Sequence, residues 1–266
     1  ILKERGETEE PVALLIEHGL AQVVSILGIL KSGKIYVPLD PSYPSAMITQ
    51  ILEDAHASLI ITSSRNIALA GQLAGNKIGV INIDEIDTTV SAENPDLSMS
   101  PDAIANIYYT SGSTGQPKGV MQNHRNVLHF AMLPTNSWPI YADDRIAHFT
   151  PCGFSGAPMT IFGALLNGAA VFPFDLKRSG LARLVNWFVE EQISIYFSVP
   201  SVFRHFTATL TGERDFPDLR LVVLGGETLY KKDVRMLKIS GSIFHPNVCC
   251  LILSLVQKCC ISEVMR

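Results

Sequence analysis

The chain has 266 residues, 47% of them apolar and 17% charged, with a formal net charge of -4 and a pI near 6.0. That balance excludes a disordered chain. With no Lys/Arg run it also sets nucleic acid aside as a partner. The longest apolar stretches, 12–30 and 248–256, are interrupted by Glu17, His18 and Gln22 or fall short of the roughly 20 apolar residues needed to span a bilayer, so no membrane partner is expected. Cys152 stands alone and Cys249, Cys250, Cys259 and Cys260 crowd the end of the chain, which is no secretory disulfide framework. The opening ILKERGETEEP has no signal-peptide core, so a cytoplasmic location is expected, and it reads as a cut start.

Length allows one large α/β domain or two smaller ones. In chain order, VALLI (12–16) predicts a buried strand and 20–31 a helix with a broad apolar face. YVPLDPSYP (36–44) breaks regularity. A helix near 46–55, a strand at 58–63, a weak helix at 67–73 and a strand at 80–84 continue the alternation, and the polar stretch 88–101 reads as a surface loop. Beyond it, strands are expected at 104–110, 146–150, 169–172, 194–198 and 219–224, with 119–124 extended. Helices are expected at 124–132, 158–166, 181–190 and 200–210. The rhythm is that of helices flanking mostly parallel sheets, an α/β fold.

The most informative stretch is YYTSGSTGQPKGV (108–120), where a strand enters a loop of glycines and hydroxyls. Gly112 and Gly115 let the backbone approach anionic oxygens. Thr110, Ser111, Ser113 and Thr114 add donors, and Lys118 adds a point charge. A solvated turn is the plain alternative. A Walker loop is not, because Gly119 and Val120 follow the lysine where a Ser or Thr should hold magnesium.

The string resembles the signature of the adenylate-forming (AMP-binding) superfamily. ILKSGKIYVPLDPSYP (29–44) is similar to a segment of the adenylation domains of nonribosomal peptide synthetases, and VVLGGETL (222–229) is similar to the family's Gly-Gly-Glu turn. The resemblance covers about residues 10–238. It implies a partial N-terminal core of the adenylate-forming fold at 1–240 with the C-terminal domain absent, and an atypical tail at 241–266, as truncation or a frameshift would produce. It further implies ATP and Mg as cofactors, with 110–115 and Lys118 on the phosphates (Lys118 and Thr110 as the catalytic pair) and Gly225, Gly226 and Glu227 beside the adenine.

In amino-acid-activating relatives a Phe-Asp pair presents a carboxylate to the α-ammonium. Here Phe154 matches the aromatic and Ser155 stands where the aspartate would be, with Gly156, Met159, Phe197 and Val223 as further pocket residues by resemblance, although Met159 and Phe197 read equally well as core. A serine cannot neutralise a buried ammonium, so an acid without a free α-amino group is expected. The implied reaction is ATP-dependent acyl-adenylate formation feeding a thioester on a phosphopantetheine carrier protein or coenzyme A. The expected adenine, ribose and C-terminal lysine motifs are not found, so impaired activity is expected, and the alternative is an inactive nucleotide-binding remnant or interaction module. No metal site is expected: the Cys-Cys pairs are too close for zinc, and the apolar tail is expected not to pack. His18 reads as a capping or surface group, His124 either as one or, by resemblance, as a supporting group beside the loop, and the pair Arg204 and His205 as a solvated face.

Overall fold

The computed structural model describes residues 9–87, 89–111, 116–137, 139–154, 156–210, 216–231, 233, 249–253 and 264–265. The chain divides into two compact units, Ile1–His129 with Pro151–Ser155, and Phe130–Thr150 with Gly156–Arg266.

The first unit is built on a six-stranded sheet. Its strands are β1 (Pro11–Leu15), β2 (Ile35–Leu39), β3 (Leu59–Thr62), β4 (Gly79–Asn82), β5 (Ile104–Ser111) and β6 (Pro117–Asn123), in the spatial order β4-β3-β1-β2-β5-β6. All its ladders are parallel except β5–β6. Helices α1 (Leu20–Lys31), α2 (Ser45–Asp54) and α3 (Ile67–Ala74) supply the crossovers. One face of the sheet, through Ala13, Leu15, Val37, Leu39 and Ile107, packs with Ile48, Ile51 and Leu52 of α2 and Ala70 and Ala74 of α3. Strands covered on both faces need no polar alternation, which is why β1 is apolar throughout.

β2 corrects the sequence reading, which left 36–44 irregular. Pro38 is the reason, since a proline withholds a ladder donor. Here Pro38 pairs in register with Leu14 of β1, while the ladder to β5 is the single pair Tyr36↔Asn106, so the missing N–H falls beyond the β5 ladder. Opposite the apolar face, Tyr36 and Tyr108 share a 2.8 Å hydroxyl hydrogen bond, and Asn106 Nδ2 donates to the Tyr36 hydroxyl at 3.3 Å.

The second unit carries β7 (Arg145–His148), β8 (Ala170–Pro173), β9 (Ile195–Ser198), β10 (Leu221–Gly225), β11 (Cys249–Leu253) and β12 (Val264–Met265), in the order β12-β11-β10-β9-β7-β8. Its helices are α5 (Ala157–Leu165), α6 (Leu176–Ser179), α7 (Leu181–Glu190) and α8 (Pro200–Ala208), and α4 (His124–Ser137) begins in the first unit. Alternation along β9 and β10 sorts the side chains. Tyr196, Val222 and Leu224 join an aromatic cluster with Phe149, Phe188, Phe203 and Phe206, while Ile195, Phe197, Leu221 and Val223 face the other way. The tail expected not to pack is corrected in its backbone, because Cys249–Leu253 forms a full parallel ladder with β10.

Where β7, β9 and β10 begin, Asp144 ties three segments together. Its carboxylate accepts from Arg220 Nε, from Ser194 Oγ and from the Tyr141 amide, each at 2.7 Å, and forms an ion pair with Arg220 Nη2. Burial pushes the Asp144 carboxyl up, but the Arg220 guanidinium, the Tyr141 amide and the Ser194 hydroxyl outweigh it and hold it below the ordinary carboxylate range. A depressed carboxyl stabilises the fold above its unfolded pKa and loses that contribution as pH falls through the folded one. Asp144→Asn should therefore cost about 2–3 kcal/mol at neutral pH, the scale of charge-assisted hydrogen bonds, with the gap to the parent shrinking below roughly pH 4. Thermal melts of both proteins from pH 7 downward check this, and equal melting at pH 7 would refute it.

Candidate nucleotide-binding site

The stretch 108–120 folds as an antiparallel hairpin. β5 runs one residue beyond its expected end, through Ser111, and β6 starts at Pro117. The ladder closes through Tyr109↔Gly119, Thr110↔Lys118 and Ser111↔Pro117. Gly112, Ser113, Thr114 and Gly115 lie outside the described residues. At the mouth of this hairpin Thr110 and Lys118 are cross-strand partners, and both are exposed. Thr110 and Ser111 thus belong to the strand.

Glycine at 119 answers a packing demand. A Cβ there would lie 3.2 Å from Ile107 Cγ2 and 3.3 Å from both Cζ and the hydroxyl oxygen of Tyr109. The Tyr109 hydroxyl donates to Asp54 Oδ2 at 2.6 Å. After the loop, Gln116 accepts from Gln50 Nε2 at 3.0 Å. Sequence reasoning missed both ties, which join positions 55 and 66 residues apart.

The Gly-Gly-Glu turn lies at the end of β10. Gly225 closes the strand, and Gly226 has φ 83°, with Val199 Cγ1 only 3.3 Å from where a Cβ would sit. Glu227 reaches back to α8, where its carboxylate accepts from the Ser201 amide at 3.0 Å and from Ser201 Oγ at 2.7 Å. Pro200, at the first turn, has no N–H to satisfy, so Glu227 caps the next orphan amide. One turn along the helix, Arg204 Nε donates to the buried Asp233 Oδ1 at 2.7 Å, and Asp233 Oδ2 accepts from the Tyr230 amide at 2.8 Å. Arg204 is therefore no solvated face, contrary to the sequence reading, because its charge is spent on pinning 230–233. His205 is exposed as expected.

Of the acid-pocket candidates, Met159, Phe197 and Val223 meet in one buried cluster of the second unit with Ile146, Ile195 and Leu221. Gly156 adjoins them, since a Cβ there would stand 3.7 Å from Phe197 Cε1. Phe154 belongs to the first unit and is exposed, and Ser155 lies outside the described residues. Nearby in sequence, the buried Cys152 thiol is pushed up to about 12, first by burial and then by Asp40, so it is a neutral packing group at physiological pH. His124 opens α4, donating its amide to the Ala103 carbonyl at 3.0 Å, and burial lowers the pKa of its ring. Among the described residues, no three His, Cys, Asp or Glu side chains come together to hold a metal ion. No helix among them is long and apolar enough to cross a membrane.

Comparison with known proteins decides the family, because the family model described as "AMP-binding enzyme" matches residues 1–246. The chain belongs to the AMP-binding enzymes. Syringomycin synthase SyrB1 of Pseudomonas syringae pv. syringae is 35% identical over 234 residues, 86% of this chain and 37% of that protein. Tyrocidine synthase 3 of Brevibacillus parabrevis is 32% identical over 232 residues, 86% of this chain and 4% of that protein. The chain thus spans well under half the length of these relatives. Among solved structures, the nonribosomal peptide synthetase FmoA3 in an α-methyl-L-serine-AMP bound form superposes with a TM-score of 0.84 at 25% identity, covering 95% of this chain and 28% of that one. The N-terminal subdomain of Klebsiella oxytoca NpsA gives 0.71 at 23% identity, covering 93% and 60%. The expected family and the α/β fold with helices flanking parallel sheets are borne out: this is the fold of the N-terminal part of adenylate-forming enzymes.

The Glu227 cap makes a claim about this AMP-binding chain that needs no ligand. Glu227→Ala should destabilise the fold by about 1 kcal/mol, the usual worth of a helix cap, and Ser201→Ala should add little on top of it. Denaturant melts of the two single variants and the double variant check this, and full additivity would show that the two residues do not act together.

Proposed function

We propose that the chain supplies the triphosphate grip of an ATP-dependent, carboxylate-activating enzyme of the peptide-synthetase type. The observation that carries this reading is the β5–β6 hairpin, which sets an exposed lysine across from an exposed threonine at the mouth of a short Gly/Ser/Thr loop in an AMP-binding chain. In this reading Lys118 pairs with the β- and γ-phosphate oxygens, the Thr110 and Ser111 hydroxyls donate to them, and the amides of 112–115 complete the cradle. Gly225, Gly226 and Glu227 lie on the adenine side, with Glu227 acting through the turn it ties to α8. Magnesium enters with the triphosphate, which is how this ion is usually held when few protein carboxylates are at hand.

The reaction is attack by a substrate carboxylate oxygen on the α-phosphorus. The bond from that phosphorus to the pyrophosphate oxygen breaks, leaving an acyl-adenylate and pyrophosphate. The chain's own part is positioning and charge neutralisation. Transfer of the acyl group to a phosphopantetheine carrier or to coenzyme A, in a cytoplasmic setting, belongs to the same reading of the longer enzyme. FmoA3 carries an amino-acid adenylate. For this chain we place a carboxylic acid without a free α-amino group in the pocket, because Ser155 offers no carboxylate to an ammonium.

Calorimetric titration with AMPPNP tests the grip. Lys118→Ala should weaken binding roughly tenfold to a hundredfold, the worth of a charge-assisted contact to phosphate, and equal binding by both proteins would discard the role of Lys118. Exchange of labelled pyrophosphate into ATP across a panel of acids tests the chemistry. Weak turnover, in keeping with impaired activity, is expected with hydroxy, keto, aryl or fatty acids and none with α-amino acids, and the opposite preference would overturn the reading of Ser155. Nucleotide binding without exchange for any acid would make the chain a nucleotide-binding module instead.

A further inference from the structure

The hairpin that carries the proposed phosphate loop is lightly attached to its sheet. β6 is the edge strand with β5 as its neighbour, and β5 joins the parallel strands through the single pair Tyr36↔Asn106. A two-stranded ribbon of this kind does not hold a fixed shape by its ladder alone. Helix α2 packs against β6 and reaches both flanks of the loop. Asp54, its last residue, accepts from the Tyr109 hydroxyl ahead of the loop at 2.6 Å, and Gln50 donates to Gln116 behind it at 3.0 Å. Residues 50 and 54 are one turn apart and share a stripe of the helix, so a single rigid element spans the mouth of the loop. The Tyr109 ring is in turn held in place by Gly119, where any side chain would press on Cζ and the hydroxyl.

We propose that Asp54 and Gln50 of α2, acting through Tyr109 and Gln116, are positioning residues that set the spacing of the loop's two flanks for a polyphosphate. This rests on the reading of 110–118 as a phosphate grip. It goes beyond that reading by assigning the geometry of the grip to a helix far away in sequence.

The electrostatics make the test one-sided. Asp54 is an anion near an anion site, so removing its charge would by field alone tighten polyphosphate binding. A weaker complex after Asp54→Ala therefore reports lost geometry. The experiment titrates the 266-residue chain and its variants with inorganic tripolyphosphate and with AMPPNP, alongside thermal melts of each. Asp54→Ala, Tyr109→Phe and Gly119→Ala should each weaken tripolyphosphate binding about fivefold to tenfold, the worth of one hydrogen bond, at temperatures where all are folded. Asp54→Asn keeps an acceptor for Tyr109 and should bind at least as tightly as the parent. Parent-like affinity in folded Asp54→Ala, or an Asp54→Asn variant as weak as Asp54→Ala, would overturn the positioning role while leaving the phosphate grip intact. A parent chain that binds neither probe would overturn the grip and the positioning role together.

Discussion

A parallel sheet ordinarily reverses its chain through a helix, because consecutive strands must both start at the same edge. Between β5 and β6 this protein reverses within the residues between Ser111 and Pro117, and that reversal shapes the first unit. The exposed Thr110 and Lys118 pair and the packing of Gly119 against Ile107 and Tyr109 follow from that reversal. Without the β5–β6 ladder, Lys118 would be one more surface lysine.

The two loops that the family resemblance singles out are supported in the same manner. Side chains one turn apart on α2 hold the hairpin, at Gln50 and Asp54. Side chains one turn apart on α8 hold the Gly-Gly-Glu turn, Ser201 by donating to the Glu227 carboxylate and Arg204 by donating to Asp233. A helix is a suitable ruler for this purpose. Its i, i+3 and i, i+4 positions present donors and acceptors at about 5–6 Å intervals on a body that does not bend. Each helix thus holds residues that lie far from it in sequence.

What the sequence revealed follows from how local each signal is. α1 and α7 were legible to the residue, since their apolar spacing and their ends are encoded within the segment itself. β2 was not, because Pro38 speaks against a strand locally and only the ladder with β1 makes it tolerable. β11 was hidden for the opposite reason: an apolar run with paired cysteines looks unplaced until β10 offers it an edge. At the site, Lys118, Thr110 and the glycines announce themselves by composition. The ties to Tyr109 and Gln116 could not be read, because Asp54 and Gln50 lie on a helix whose apolar face is its only conspicuous feature. Arg204 was misread because its partner is 29 residues away.

The two units, each taken by itself, differ in the chemistry of their described residues. The hairpin offers charge and hydroxyls, whereas the described cluster of Ile146, Met159, Ile195, Phe197, Leu221 and Val223 contains no ionisable group. A pocket bordered by such a surface accepts hydrocarbon readily and tolerates an ammonium only beside a carboxylate, since an unpaired buried charge costs several kcal/mol or shifts its pKa to become neutral. Ser155 can donate or accept one hydrogen bond but cannot offset a full charge. On the proposed reading, an apolar cluster with no carboxylate beside it favours an acid without a free α-amino group.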